Sequence, residues 1–172
     1  MLYHMAEVNI LPLVEDSIEA NRPLGSKQGV EIRLVAPLPG ARVRADAERL
    51  MQVMDNLLAN AIKFSKAGQI VDVSIERLSP WVRITVEDHG EGIPEADRDT
   101  LFKPFSRVDV GYVRRRGGPG LGLMIVDAII ADHGGRVSFD SAVDQGTRFY
   151  VDLKESTADA PRAAAPSQIA AD

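Results

Sequence analysis

Two stretches of strict alternation restrict this chain more than any other feature: Val71, Val73 and Ile75 share one face of the first, and Val82, Ile84 and Val86 share one face of the second. Successive strand residues point to opposite faces, so each stretch is apolar on one side and polar on the other. Ser79-Pro80 between them makes a hairpin turn. From Leu11 to about Lys27, Leu13, Val14, Ile18 and Leu24 recur at helical spacing until Gly25 and Gly29 close the segment. Asp46 is a good N-cap for a long helix reaching about Ser65, with Leu50, Val53, Leu57 and Ala61 on one stripe. Leu121 to Asp132 reads as a third main helix, ended by Gly134-Gly135. Val30, Ile32 and Leu34 alternate as a strand ahead of Pro37-Leu38-Pro39-Gly40, and a short strand runs from Arg42 to Ala45. A short helix falls near Glu95 to Phe102, and Val137/Phe139 with Phe149/Val151/Leu153 form a closing hairpin around Asp144-Gln145-Gly146. There is no internal repeat. Hairpins mixed with helices in this order predict an α/β (α+β) fold, a two-layer sandwich of a mixed, mainly antiparallel sheet with three main helices on one face.

A length of 172 residues, 45% of them hydrophobic, suits one domain with a core. No apolar run approaches the roughly 20 residues that cross a bilayer, since Leu121 to Ala131 is broken by Asp127. The absence of cysteine rules out disulfides and thiolate metal sites and favours the cytoplasm. A net charge of −5 gives no general attraction to nucleic acid, although Arg114-Arg115-Arg116 is suited to something anionic. Residues 1–6 lack the pattern of a signal peptide and read as a linker or cloning remnant with no structural role. After Lys154 the chain is Ala, Pro, Ser and Asp with almost no large apolar residue, so 155–172 is expected to be a disordered tail to a domain over 7–154.

Polar residues gather in four places. Asn56, Asn60 and Lys63 lie at i, i+4 and i+7 of the long helix, on a stripe roughly 100° around from the apolar one. Alone, that is equally the wet side of an amphipathic helix. Asp88-His89-Gly90-Glu91-Gly92-Ile93-Pro94 runs a strand into two glycines that permit close backbone approach. Counting by twos from Val82 puts Asp88 on the inward face, where a carboxylate requires a donor; a turn with a capping aspartate is the plainer alternative. Gly117-Gly118-Pro119-Gly120-Leu121-Gly122-Leu123 opens a helix, presenting bare N–H groups and a positive dipole end to an anion such as phosphate. Its spacing is neither that of a P-loop nor that of a dinucleotide fold, and a flexible loop without ligand fits as well. Thr147 shares inward parity with Phe149 and Val151, as a satisfied core threonine also would.

Taken together and in this order, from about Val8 to Leu153, these motifs resemble the catalytic ATP-binding domain of sensor histidine kinases, within the superfamily of gyrase, mismatch-repair ATPases and ninety-kilodalton heat-shock chaperones. Asn56 to Phe64 is similar to the asparagine box, Asp88 to Ile93 to the first glycine box, Leu101 to Phe105 to the phenylalanine box, and Gly118 to Leu123 to the second glycine box. The resemblance implies a Bergerat-type fold that binds ATP with Mg²⁺. Asp88 would accept from the adenine amino group, Gly90 and Gly92 would admit the base, Ile93 and Phe64 would wall it, and Thr147 would assist through water. Asn60 would offer Mg²⁺ a neutral oxygen with Asn56 beside it, Lys63 would meet the phosphates, and Gly118, Gly120, Leu121, Gly122 and Leu123 would cradle them. Lys103 to Gly117 would be a lid whose Arg107, with some of Arg114, Arg115 and Arg116, neutralises the transferred phosphoryl group. Pro119 departs from the family's usual Thr or Ser and removes a hydroxyl and an N–H there.

The phospho-acceptor implied is a histidine on a separate dimerisation domain of the same parent protein, outside this chain, with a response regulator as indirect partner; neither nucleic acid nor membrane contact is implied. None of His4, His89 and His133 is followed by the acidic residue and downstream proline of an acceptor helix, and His133 sits at a helix end where a cation complements the dipole. Asn56 cannot take a proton from water, which disfavours a gyrase-type hydrolase. A degenerate nucleotide-binding or signalling module without kinase activity is the alternative, and protein serine kinases of the anti-sigma type are a lesser one.

Overall fold

Asp46 shows how sequence sets the first long element: its side chain accepts from the backbone N–H of Arg49 at 3.1 Å, capping the helix α2 that runs Ala47–Phe64. The structure is a computed structural model that describes residues 2–99, 101–102 and 121–157, with the backbone alone at Leu121. Among the described residues the remaining elements are β1 (Ala6–Asn9), α1 (Ile10–Gln28), β2 (Glu31–Ala36), β3 (Arg42–Ala45), β4 (Ile70–Leu78), β5 (Trp81–Asp88), the short α3 (Glu95–Arg98), α4 (Leu121–Asp132), β6 (Arg136–Ala142) and β7 (Gly146–Lys154). The described strands form a sheet of order β2-β4-β5-β7-β6, in which only β2 and β4 run parallel, and a separate antiparallel pair β1-β3. This is the expected mixed, mainly antiparallel sheet.

The helices lie on one face, with α2 between α1 and α4. Alternation on β4, β5 and β7 buries Val71, Val73, Ile75, Val82, Ile84, Val86, Phe149, Val151 and Leu153 beneath them. From α2 come Leu50, Val53, Met54, Leu57, Leu58, Ala61 and Ile62, the larger of which contribute about 1.5–3 kcal/mol each by burial. One flank of α2 is tied to α1 by directional bonds: Asp55 Oδ1 accepts from Ser17 Oγ at 3.0 Å and from Asn21 Nδ2 at 2.9 Å. Among the described residues no helix is long and apolar enough to cross a membrane.

Several expectations change. Gly25 does not close α1. The helix continues to a left-handed cap at Gly29, and Gly25 is small because the carbonyl of Val30 passes where its Cβ would be. Leu24 is 38% exposed and outside the core stripe. Residues before β1 are engaged rather than idle: Tyr3 Oη donates to Asp132 at 2.6 Å, and the His4 N–H donates to Asp46 at 2.8 Å. That bond, first among several backbone donors, holds the Asp46 carboxyl below its usual range despite burial. His133 is not a helix-end cation. Its Nε2 accepts from the Asp46 N–H at 3.0 Å, and Nδ1 lies 2.7 Å from the carbonyl of Ile129, to which it donates as a neutral ring. At the other end the order runs past Lys154, since Glu155 bridges to Val43 and the Ser156 N–H bonds the Arg42 carbonyl at 2.8 Å.

Candidate functional site

The sequence puts Asp88 last on β5, and strand parity turns it inward, where it is 3% exposed. Its Oδ1 accepts from the Gly90 N–H at 3.0 Å, and the backbone of Thr147, its cross-strand partner, donates to it as well. No cation is bonded to it among the described residues. Burial therefore dominates and pushes its carboxyl up to about 6, against the opposing pull of those N–H groups.

The loop after β5 is held by close backbone passages that only glycine allows. A Cβ on Gly90 would collide with the carbonyl of Phe64, the last residue of α2. At Gly92, in the left-handed region, a Cβ would meet the carbonyl of Ala142 on β6. These glycines thus seat the loop between α2 and the β6-β7 hairpin, and Ile93 is carried into the core at 3% exposure. Gln69 adds a tie, donating from Nε2 to the His89 carbonyl at 2.9 Å.

Asn56, Asn60, Lys63 and Phe64 are all half-buried on α2. The first turn of α4 meets Asn56: a Cβ on Gly122 would lie 3.3 Å from Asn56 Oδ1, and Leu123 is buried. Asn56, on the amide stripe of α2, therefore lies beside the N-terminal turn of α4, the positive end of that helix's dipole. Arg107, Gly118, Gly120 and the rest of Lys103 to Gly120 lie outside the described residues, as does the side chain of Leu121.

Sequence reasoning missed Ser141. Its Oγ accepts from the Ile93 N–H at 2.7 Å and lies 3.1 Å from the Gly146 carbonyl and 2.8 Å from Thr147 Oγ1. The signal was available, since Ser141 continues the inward parity of Val137 and Phe139. Gly146, which the sequence places in the turn ahead of Thr147, has φ +82°, and a Cβ there would strike the Asp88 carbonyl. A cleft of about 380 Å³ beside this hairpin is lined by Arg98, Phe139, Ser141 and Thr147 among others, but not by Asp88, Ile93 or Asn60. The residues of α2 and the glycine loop thus lie outside that cleft.

The chain matches the family described as histidine kinase-, DNA gyrase B-, and HSP90-like ATPase over residues 45–157. The alginate biosynthesis sensor protein KinB of Pseudomonas aeruginosa is 36% identical over 147 residues, which make up 86% of this chain and 24% of that protein. Full-length ShkA in complex with AMPPNP superposes with a TM-score of 0.77 at 32% identity, over 94% of this chain and 33% of that one. The nucleotide-free catalytic domain of histidine kinase ThkA superposes with a TM-score of 0.77 at 27% identity, over 88% of this chain and 96% of that domain. The chain thus spans about a quarter of the length of KinB and a third of ShkA.

Proposed function

We propose that this chain, which belongs to the histidine kinase-, DNA gyrase B- and HSP90-like ATPase family as a catalytic ATP-binding domain of the sensor histidine kinase type, delivers the γ-phosphate of ATP to a histidine on a separate dimerisation domain of its parent protein. The observation that carries this reading is Asp88, a buried carboxylate that faces inward at a strand end and has only backbone donors among the described residues. An exocyclic amine supplies the missing donor, as the adenine amino group does. Gly90, Gly92, Ile93 and Phe64 shape the base pocket, and Thr147 lies beside Asp88 across the sheet.

The other end of the site suits phosphates. Asn56 lies beside the start of α4, and Asn60 and Lys63 follow it on the same stripe of α2; Gly118, Gly120, Leu121, Gly122 and Leu123 are proposed to bind phosphate oxygens there. Mg²⁺ fits as an ion carried mainly by the nucleotide: the described residues hold no group of three or more His, Asp or Glu able to grip a metal, and Asn60 offers one neutral oxygen. When bound it would neutralise charge between the β- and γ-phosphates. Arg107 and the Arg114 to Arg116 triplet are proposed to meet the transferred phosphoryl group. The acceptor histidine would come from the dimerisation domain, and a response regulator would take the phosphoryl group from it.

Calorimetric titration tests the reading. Wild type should bind ATP and ADP and bind GTP much more weakly, because a carbonyl would face Asp88 in guanine. Asp88→Asn should weaken ATP binding by about 2–3 kcal/mol, the worth of a hydrogen bond to a charged group together with the mismatch of amide against amine. Full ATP affinity in Asp88→Asn would show that the base does not sit there.

A further inference from the structure

We propose that Ser141 is a positioning residue that fixes the hydrogen-bonding polarity of Thr147, and through it the preference of the base pocket for an exocyclic amine over a carbonyl. The inference rests on the adenine reading above and adds to it a residue outside every motif quoted from the sequence. Three groups surround Ser141 Oγ: the Ile93 N–H at 2.7 Å, the Gly146 carbonyl at 3.1 Å and Thr147 Oγ1 at 2.8 Å. An N–H only donates, a carbonyl only accepts, and a hydroxyl has one proton and two lone pairs. All three contacts are hydrogen bonds in one arrangement alone. Ser141 accepts from Ile93, donates to Gly146 and accepts from Thr147.

In that arrangement the single proton of Thr147 is committed to Ser141, so toward a ligand Thr147 offers lone pairs only. Asp88 is its direct cross-strand partner and, when ionised, also only accepts. Thr147 is 5% and Asp88 3% exposed, so water screens neither well. Two neighbouring acceptors favour an amine, or a water that donates to both, and repel a carbonyl oxygen. Ser141 touches Thr147 and the Ile93 backbone, and thus acts on the base through them.

The test compares ADP with inosine diphosphate, which carries a carbonyl where adenine carries its amine. Both are titrated without Mg²⁺ into wild type, Ser141→Ala and Ser141→Thr, and thermal unfolding is followed in parallel. Wild type should prefer ADP. Ser141→Ala frees the Thr147 proton to turn toward a carbonyl, so the ADP-to-inosine-diphosphate affinity ratio should fall about tenfold, whatever happens to Tm. Ser141→Thr keeps the hydroxyl and should hold the ratio within about twofold of wild type. If Ser141→Ala does not fold, Ser141→Cys, whose thiol is a poor donor and acceptor, should give the same fall. Equal weakening of both nucleotides with an unchanged ratio would make Ser141 purely structural and overturn the proposal alone. A wild type that binds neither nucleotide would overturn the adenine reading and this inference with it.

Discussion

Asp88 and Asp152 sit on neighbouring strands of one sheet, are 3% and 1% exposed, and are treated in opposite ways. Asp152 points away from the helices. Arg83 binds it through Nε at 2.7 Å and a second nitrogen at 2.9 Å, and Arg136 binds it at 3.1 Å. The arginines are stacked in turn, Arg83 over Tyr150 at 4.5 Å and Arg136 over Trp81 at 5.0 Å. Burial pushes the Asp152 carboxyl up, but the bonds and charge of the two arginines outweigh it and hold it below the usual range. Asp88 has the burial and a few N–H groups but no bonded cation among the described residues, and stays up at about 6. A carboxylate that serves the fold is neutralised within the fold, whereas one left short of a donor is poised for a partner from outside.

The largest effect expected from this contrast lies at Asp152. Asp152→Asn leaves two guanidiniums facing a neutral amide. Breaking a buried pair costs about 3–5 kcal/mol, and since Arg136 is 63% exposed and can rehydrate, about 2–3 kcal/mol is expected here. Thermal unfolding should drop by roughly 5–10 °C, while ADP affinity of the folded variant stays within about twofold. A variant of unchanged Tm, or one that loses nucleotide binding while folded, would erase the distinction between the two aspartates.

That distinction was half legible in the sequence. Parity alone turned Asp88 inward, because Val82, Ile84 and Val86 fix the face and a strand has a period of two. The same counting places Asp152 outward, where a carboxylate raises no question; its burial depends on arginines brought beside it by two different strands, which no local pattern records. The helices, both hairpins and the Asp46 cap were readable for the same local reason. The four-residue β1 was not, since Val8 is its one buried side chain and a single residue has no period. Nor was the neutral ring of His133, whose charge state follows from the Asp46 N–H 87 positions away.

The next expected effect uses pH to read Asp88 directly. In the proposed adenine site the form of Asp88 that would bind the amine is the carboxylate, and with a folded value of about 6 it is mostly ionised at pH 7 and mostly protonated at pH 5. ADP affinity should therefore be level above pH 7 and fall about tenfold between pH 7 and pH 5. Protonation of the nucleotide itself is removed by taking the ratio to Asp88→Asn at each pH. Asp152, held below its ordinary value, stays ionised through this window and adds no slope. Parallel curves for wild type and Asp88→Asn would mean that Asp88 does not hold the ligand by its charge.

The smallest effect runs against intuition for a binding-site substitution, since Asp88→Asn should make the nucleotide-free protein slightly more stable at pH 7. The folded value of about 6 lies above the ordinary 3.8, so folding disfavours the carboxylate. Stability from this group is therefore fully present below about pH 4 and is lost as pH rises through about 6. The interval corresponds to on the order of 3 kcal/mol in the wild type. An asparagine is neutral at every pH and keeps an oxygen for the Gly90 N–H, which recovers that penalty. Its amide N–H₂ must in turn find water or go without, at about 1–2 kcal/mol. A net gain of about 1 kcal/mol is expected at pH 7, shrinking to nothing or reversing by pH 5 as the wild-type carboxyl takes up its proton. Denaturant unfolding of both proteins at the two pH values measures it. Destabilisation at pH 7 equal to that at pH 5 would mean that the ionised Asp88 is already well satisfied within the fold, and that it waits for nothing.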